Sequence, residues 1–231
     1  MDGHSLPLAL LVLAVLSRAF LQTGLFIVAH DAMHGSLLPG SPGWNDRLGR
    51  LALGLYACLP WEICRRNHRR HHQAPASPLD PDHHDGQNRN LLAWYLRFMA
   101  KYLSPGQMAA LLSGWLVCAL LLNGLTPHPL ANLVLFWILP LLLSSIQLFL
   151  FGTYLPHREG TVTTVDRHHA RSLPLPAALS LLACYHFGYH WEHHEDPQLP
   201  WFQLPERRRR RRFVTDHIST PAELALPKAK R

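Results

Sequence analysis

The sequence predicts an all-α integral membrane protein whose transmembrane helices carry a cytosolic cap of histidines. Three observations predict it. Hydrophobic residues make up 48% of the 231 positions and charged ones only 16%, against roughly 25% charged in a soluble domain. Three apolar runs are long enough to cross a bilayer. Histidine, at 17 residues, outnumbers Asp and Glu together, at 15, and it clusters at short spacings. The length suits one body, residues 6–205, followed by a short basic tail, residues 206–231. Cys58, Cys64, Cys118 and Cys184 form no CxxC pair, which argues against a disulfide scaffold or a Cys-based zinc module.

Residues 8–28 are interrupted only by Ser17, Arg18, Gln22 and Thr23, and at ~1.5 Å per residue such a run just spans a ~30 Å hydrocarbon core. It exceeds the roughly 7–15 apolar residues of a signal peptide, so it reads as a span. Residues 48–59 are apolar but stop at Pro60; the run is too short to cross and reads as a re-entrant or interfacial helix. Residues 108–125 and 130–151 are long apolar runs parted by Thr126, Pro127, His128 and Pro129, which cannot continue a helix. They read as a transmembrane hairpin. Residues 177–189 form a second short apolar piece, and Trp44, Trp61, Trp94 and Trp201 flank these segments at positions that suit the headgroup level.

Three histidine boxes follow the apolar segments. His30 and His34 make HxxxH, His68, His71 and His72 make HxxHH, and His190, His193 and His194 make HxxHH again. On a helix, positions i, i+3 and i+4 share a face, so each box offers its imidazoles to one point. Random placement gives roughly 0.09 copies of HxxHH in a chain of this composition; two copies are a signal. His157, six residues past the third long run, is a candidate ninth ligand. His168, His169 and His186 lie near the boxes and suit hydrogen bonds around the ligands more than ligation. His83 and His84, in the loop that begins Asp80-Pro81-Asp82, read as solvated turn residues, and His4, His128 and His217 as surface or structural ones.

Eight or nine imidazoles exceed the three or four ligands of one zinc, so the count points to two metals. Imidazole suits Zn, Cu, Fe and Ni alike. A histidine-rich dimetal site at the ends of apolar helices suggests oxidation of a lipid that enters from the bilayer, and oxygen chemistry favours iron. Asp31 and Glu192, each beside a box histidine, are placed to orient ligand rings.

Membrane parity brings the boxes together if residues 48–59 do not cross and the hairpin goes out and returns. Their side also carries Arg65, Arg66, Arg69, Arg70 and the arginines at 207–212, which makes it cytoplasmic by the positive-inside rule and the amino terminus external. From Glu206 onward nine basic and three acidic residues supply +6 of the chain's +7. The body is nearly neutral, so the charge argues against a nucleic-acid binder; the arginine run reads as a disordered tail resting on anionic headgroups or solvated.

The blocks around the boxes resemble a known group. The boxes themselves are those of the membrane fatty-acid desaturase and hydroxylase superfamily. Residues 22–36 (QTGLFIVAHDAMHGS), 151–158 (FGTYLPHR), 166–172 (DRHHARS), 186–194 (HFGYHWEHH) and 196–205 (DPQLPWFQLP) are similar to bacterial and cyanobacterial β-carotene ketolases, and the resemblance covers residues 18–205. It implies a fatty-acid-desaturase-like fold and two non-haem iron ions. The implied enzyme uses O₂ and electrons from a ferredoxin-type donor to oxidise C4 of the β-ionone ring to a ketone. Echinenone forms first and canthaxanthin second; hydroxylated rings lead to astaxanthin. By position the resemblance makes His30, His34, His68, His71, His72, His190, His193 and His194 ligands, with His157 matching the extra histidine of related desaturases. Asp166, with Asp31, His168, His186 and Glu192, falls to the surrounding shell. His169 stands where the pattern usually has Asn, and Trp191 where it often has His. The family usually has a further transmembrane helix before the first box, so the resemblance implies either an earlier start or a shortened member.

Rival readings within the class are a β-carotene hydroxylase and a fatty-acyl desaturase, separated by product. A membrane metal-binding or transport protein would place His or Asp near the middle of its spans, whereas here the boxes sit at span ends and only Arg18 is deep.

Overall fold

The computed structural model describes residues 7–84, 86, 89–158 and 166–218. His4 and the residues after Ile218 lie outside them. Nine helices are present among the described residues, numbered here α1 Leu8–His34, α2 Pro42–Ala57, α3 Trp61–Gln73, α4 Leu91–Tyr102, α5 Pro105–Asn123, α6 Pro129–His157, α7 Ala177–Cys184, α8 His190–Glu195 and α9 Leu204–Ile218. Of these, α1, α5 and α6 are long and apolar enough to cross a membrane.

Helix α1 continues past the apolar run and unbroken through the first box to Gly35, whose φ of 77° closes the helix with N–H bonds to the Asp31 and Ala32 carbonyls. His30 and His34 are thereby fixed to a rigid span. Helix α2 packs along α1, and Gly49 makes the approach possible: a Cβ there would lie 2.3 Å from the Trp61 ring and 2.7 Å from the Ala32 Cβ. Cys58 in the left-handed region and Pro60 then turn the chain into α3. The short apolar run at 48–59 is therefore part of a 16-residue helix that stops before the second box.

Helix α6 holds two π-turns, Val134–Ile138 and Leu150–Tyr154, each just before a proline, Pro140 and Pro156. Proline has no N–H and crowds the carbonyl four residues back. Phe136 and Gly152 stand at those carbonyls, inside the two π-turns, and the widened turns absorb the clash. Between α1 and α6, Thr23 donates to Ser144 (2.8 Å) or Gln147 (2.6 Å), and Gln147 donates to the Ala183 carbonyl at the end of α7 (2.7 Å). These bonds satisfy Thr23, one of the polar residues that interrupt the first span.

Two segments differ from the sequence expectation. Helix α4 had no counterpart in it, and its Trp94 and Tyr102 bury the loop before it: Trp94 donates to the Asp82 carbonyl (2.7 Å) and Tyr102 to the Asp82 carboxylate. Asp80, Asp82 and His84 are accordingly buried rather than solvated. The disorder expected from Glu206 onward is corrected for residues 206–218, which continue helix α9. Leu204, Arg208 and Arg211 share one face of it, Leu204 and Arg208 are buried, and the Glu192 carboxylate on α8 pairs with both arginines.

Candidate metal centre

Three imidazole-bearing helix ends, those of α1, α3 and α6, converge with α8. One cluster joins His30 and His34 from α1, His68 and His72 from α3, and His193 from α8; a second joins His71 from α3, His157 from the end of α6, and His190 and His194 from α8. Within each, the potential ligand atoms all lie within 4.8 Å of one another. The HxxHH spacing splits its members: His68 and His72, four residues apart, face one cluster and His71 the other, while His193 faces the first and His190 and His194 the second.

Ring nitrogens meet nose to nose. His34 Nε2 is 2.6 Å from His68 Nε2, and His72 Nε2 is 2.9 Å from His193 Nε2. His194 Nε2 lies 3.1 Å from His71 Nε2 and 3.0 Å from His190 Nε2. Nitrogens ~2.1 Å from one first-row ion sit roughly 3.0–3.4 Å apart, so the donor sets fit a bound cation. Burial, reinforced by the neighbouring imidazoles, pushes His68, His72, His190, His193 and His194 well below the ordinary histidine range. Neutral rings are what a metal requires.

Two members are oriented from outside. His71 Nδ1 lies 3.0 Å from both Asp80 oxygens, and Asp80 also accepts from the backbone N–H groups of Ala76 and Asp82, each at 2.9 Å. Burial works to lower the pKa of His71, but the hydrogen bond and charge of Asp80, with Asp82 nearby, raise it. His157 Nδ1 donates to the His169 carbonyl (2.8 Å), which leaves its buried Nε2 without a protein partner and facing the second cluster. Each bond fixes the tautomer that presents an Nε2 lone pair.

The expected outer residues do other work. Asp31 lies 3.5 Å from His30 Nδ1, too far for a hydrogen bond, and instead accepts from the Trp201 backbone N–H (3.1 Å). Glu192 touches no ring: Ser172, Arg208 and Arg211 hold it. Asp166 accepts from the Trp191 indole (3.2 Å). His168 bonds Glu195 (2.7 Å), its ring 5.7 Å from that of His194, and His186 stacks on Tyr189 and Trp201. None of His168, His169 and His186 enters a cluster. The sequence reading missed Asp80 because it took the loop as solvated; a carboxylate nine residues after a box histidine, just before a proline, was the available signal.

An apolar cavity of about 350 Å³ adjoins the centre. Phe26, Phe98, Leu111, Trp115, Leu141, Leu148 and Phe187 line it, and so do His30, His68, His71 and His190. Its walls from α5 and α6 are span residues, so the space runs from membrane depth to both clusters.

Membrane-length helices ending in nine clustered imidazoles define a histidine-box membrane oxidoreductase. The model of the fatty acid desaturase family matches residues 5–110 and 106–220. Two β-carotene ketolases from Paracoccus strains are each 43% identical to the chain, over 90% of it and 83% of their own length. A zeaxanthin 4-ketolase from Chlamydomonas reinhardtii is 40% identical over 83% of this chain and 43% of its own. The chain belongs to the fatty acid desaturase superfamily and, within it, to the carotenoid ketolase and hydroxylase family.

Proposed function

We propose that the chain is a di-iron carotenoid ketolase that converts the C4 methylene of β-carotene to a ketone, giving echinenone and then canthaxanthin. The carrying observation is the pair of buried imidazole clusters lining one apolar cavity, in a chain so similar to β-carotene ketolases. His30, His34, His68, His72 and His193 would hold one iron, and His71, His157, His190 and His194 the other. Imidazole donors suit several first-row metals, and the O₂ chemistry of the proposed reaction selects iron among them. When bound, the irons would supply O₂ activation and hydrogen abstraction from the allylic C4–H bond.

The chain's own residues do the rest. The cavity accepts a flat apolar ring from the bilayer and excludes water, and its aromatic walls fix which ring carbon faces the histidines. Asp80 and the His169 carbonyl keep His71 and His157 in the ligating tautomer. Each round takes one O₂, two electrons and two protons, places one hydroxyl on C4 and releases one water. A second round at the same carbon gives a geminal diol, which loses water to become the ketone. The electrons come from a ferredoxin-type donor at the cytoplasmic face, the side that carries Arg66, Arg69 and Arg70.

Expression in a bacterial host that accumulates β-carotene tests the reading. Echinenone and canthaxanthin support it. Accumulated alcohols would make the chain a hydroxylase, and unsaturated acyl chains with unchanged β-carotene would make it a desaturase.

A further inference from the structure

Two residues of the arginine run pack against α8, the helix that carries the third histidine box. Six consecutive arginines should repel one another, yet α9 sorts them by face. Arg208 and Arg211, one turn apart, point at α8; Arg209, Arg210 and Arg212 are exposed. Arg211 donates to Glu192 Oε1 (3.1 Å), and Arg208 Nη1 lies 3.5 Å from the same oxygen. The other Glu192 oxygen accepts from the Ser172 hydroxyl. The Glu192 side chain is 1% exposed, Arg208 10% and Arg211 38%, so the buried carboxylate depends on these partners while Arg211 remains partly in contact with solvent.

Two ring contacts tighten the same joint. The Arg211 guanidinium lies 3.5 Å from the Trp191 ring centroid, and that of Arg208 lies 4.6 Å from the Tyr189 centroid. Helix α8 has six residues, far below the length at which a helix holds itself in water. It nevertheless supplies three of the nine clustered imidazoles, divided between both clusters. Glu192 sits between His190 and His193, so whatever fixes Glu192 fixes the rotation of all three.

We propose that Arg208 and Arg211 are positioning residues of the metal centre, acting through Glu192 to set the depth and rotation of α8. The proposal rests on the reading that the clustered histidines hold iron. It gives the arginine helix a role in retaining metal, where its composition alone suggests a dispensable lipid contact.

The test measures release of iron to a chelator from the purified full-length protein, alongside membrane yield and turnover. Arg208→Ala with Arg211→Ala should release iron at least about tenfold faster than wild type. Arg208→Lys with Arg211→Lys should restore retention to within about threefold. In a Glu192→Gln background the alanine pair should add little, because its route to the site is already cut; a purely structural tail would show additive effects. If the alanine pair fails to accumulate, Glu192→Gln with Arg208→Met and Arg211→Met removes the stranded charge, and it too should lose iron faster. Iron release at the wild-type rate from either alanine or methionine variant, or additivity with Glu192→Gln, overturns the proposal alone. A wild-type protein that holds no metal overturns the metal reading and this one with it.

Discussion

Replacing Asp80 by Asn isolates the one carboxylate that, among the described residues, touches a clustered histidine at hydrogen-bonding distance. The side chain is 1% exposed and accepts four contacts, two from His71 Nδ1 and one each from the Ala76 and Asp82 N–H groups. Asn keeps the shape, removes the charge and turns one acceptor into a donor. Whichever way the amide faces, it opposes an N–H, so a buried donor loses its partner, at about 1–3 kcal/mol. Loss of the charge also frees His71 to adopt the tautomer with its lone pair on Nδ1. Disturbing such an outer carboxylate costs about 10–100-fold in metal affinity, or roughly 1.4–2.8 kcal/mol. The assay is iron per chain across a chelator titration of detergent-purified protein. Asp80→Asn should shift the midpoint by at least tenfold, with the second cluster emptied first. An unchanged midpoint with unchanged ketone yield would refute the role assigned to Asp80.

His71→Ala and His193→Ala, one from each cluster, should each abolish ketone formation; pigment analysis at matched expression decides. Leu111→Trp should fill part of the 350 Å³ cavity and cut turnover while iron content stays near that of wild type, which separates substrate space from metal binding. Gly49→Val should drive a side chain into Trp61 and Ala32 and destabilise the α1–α2 contact by about 1–3 kcal/mol, read as a lower midpoint in detergent unfolding. Reporter fusions at the two chain ends should place the amino terminus outside and the carboxyl terminus in the cytoplasm; a cytoplasmic signal at both ends would contradict the positive-inside orientation.

Local periodicity carries far in this chain. The three spans follow from long apolar runs, and the box spacing brings the histidines to one region of the fold. The expectation that each box serves a single point holds only for His30 and His34: both HxxHH boxes divide between the two clusters. The division of both HxxHH boxes between two clusters was not visible, since it depends on how α3 and α8 are rotated against α1 and α6. Asp80 and Asp82 were hidden for another reason: their burial comes from α4, whose Trp94 and Tyr102 cap the loop from more than ten residues downstream. The arginine helix shows the limit of composition. A run of like charges reads as solvated until its acidic counterpart on α8 is known to face it, and only the fold brings Glu192 within reach of Arg208 and Arg211.

Elemental analysis of the purified, active protein tests the central claim most directly. Five and four imidazoles in adjoining clusters predict about two iron atoms per chain, falling in the His71→Ala protein as the second cluster loses a ligand. One zinc per chain with no iron, in protein that still forms ketone, would contradict the account.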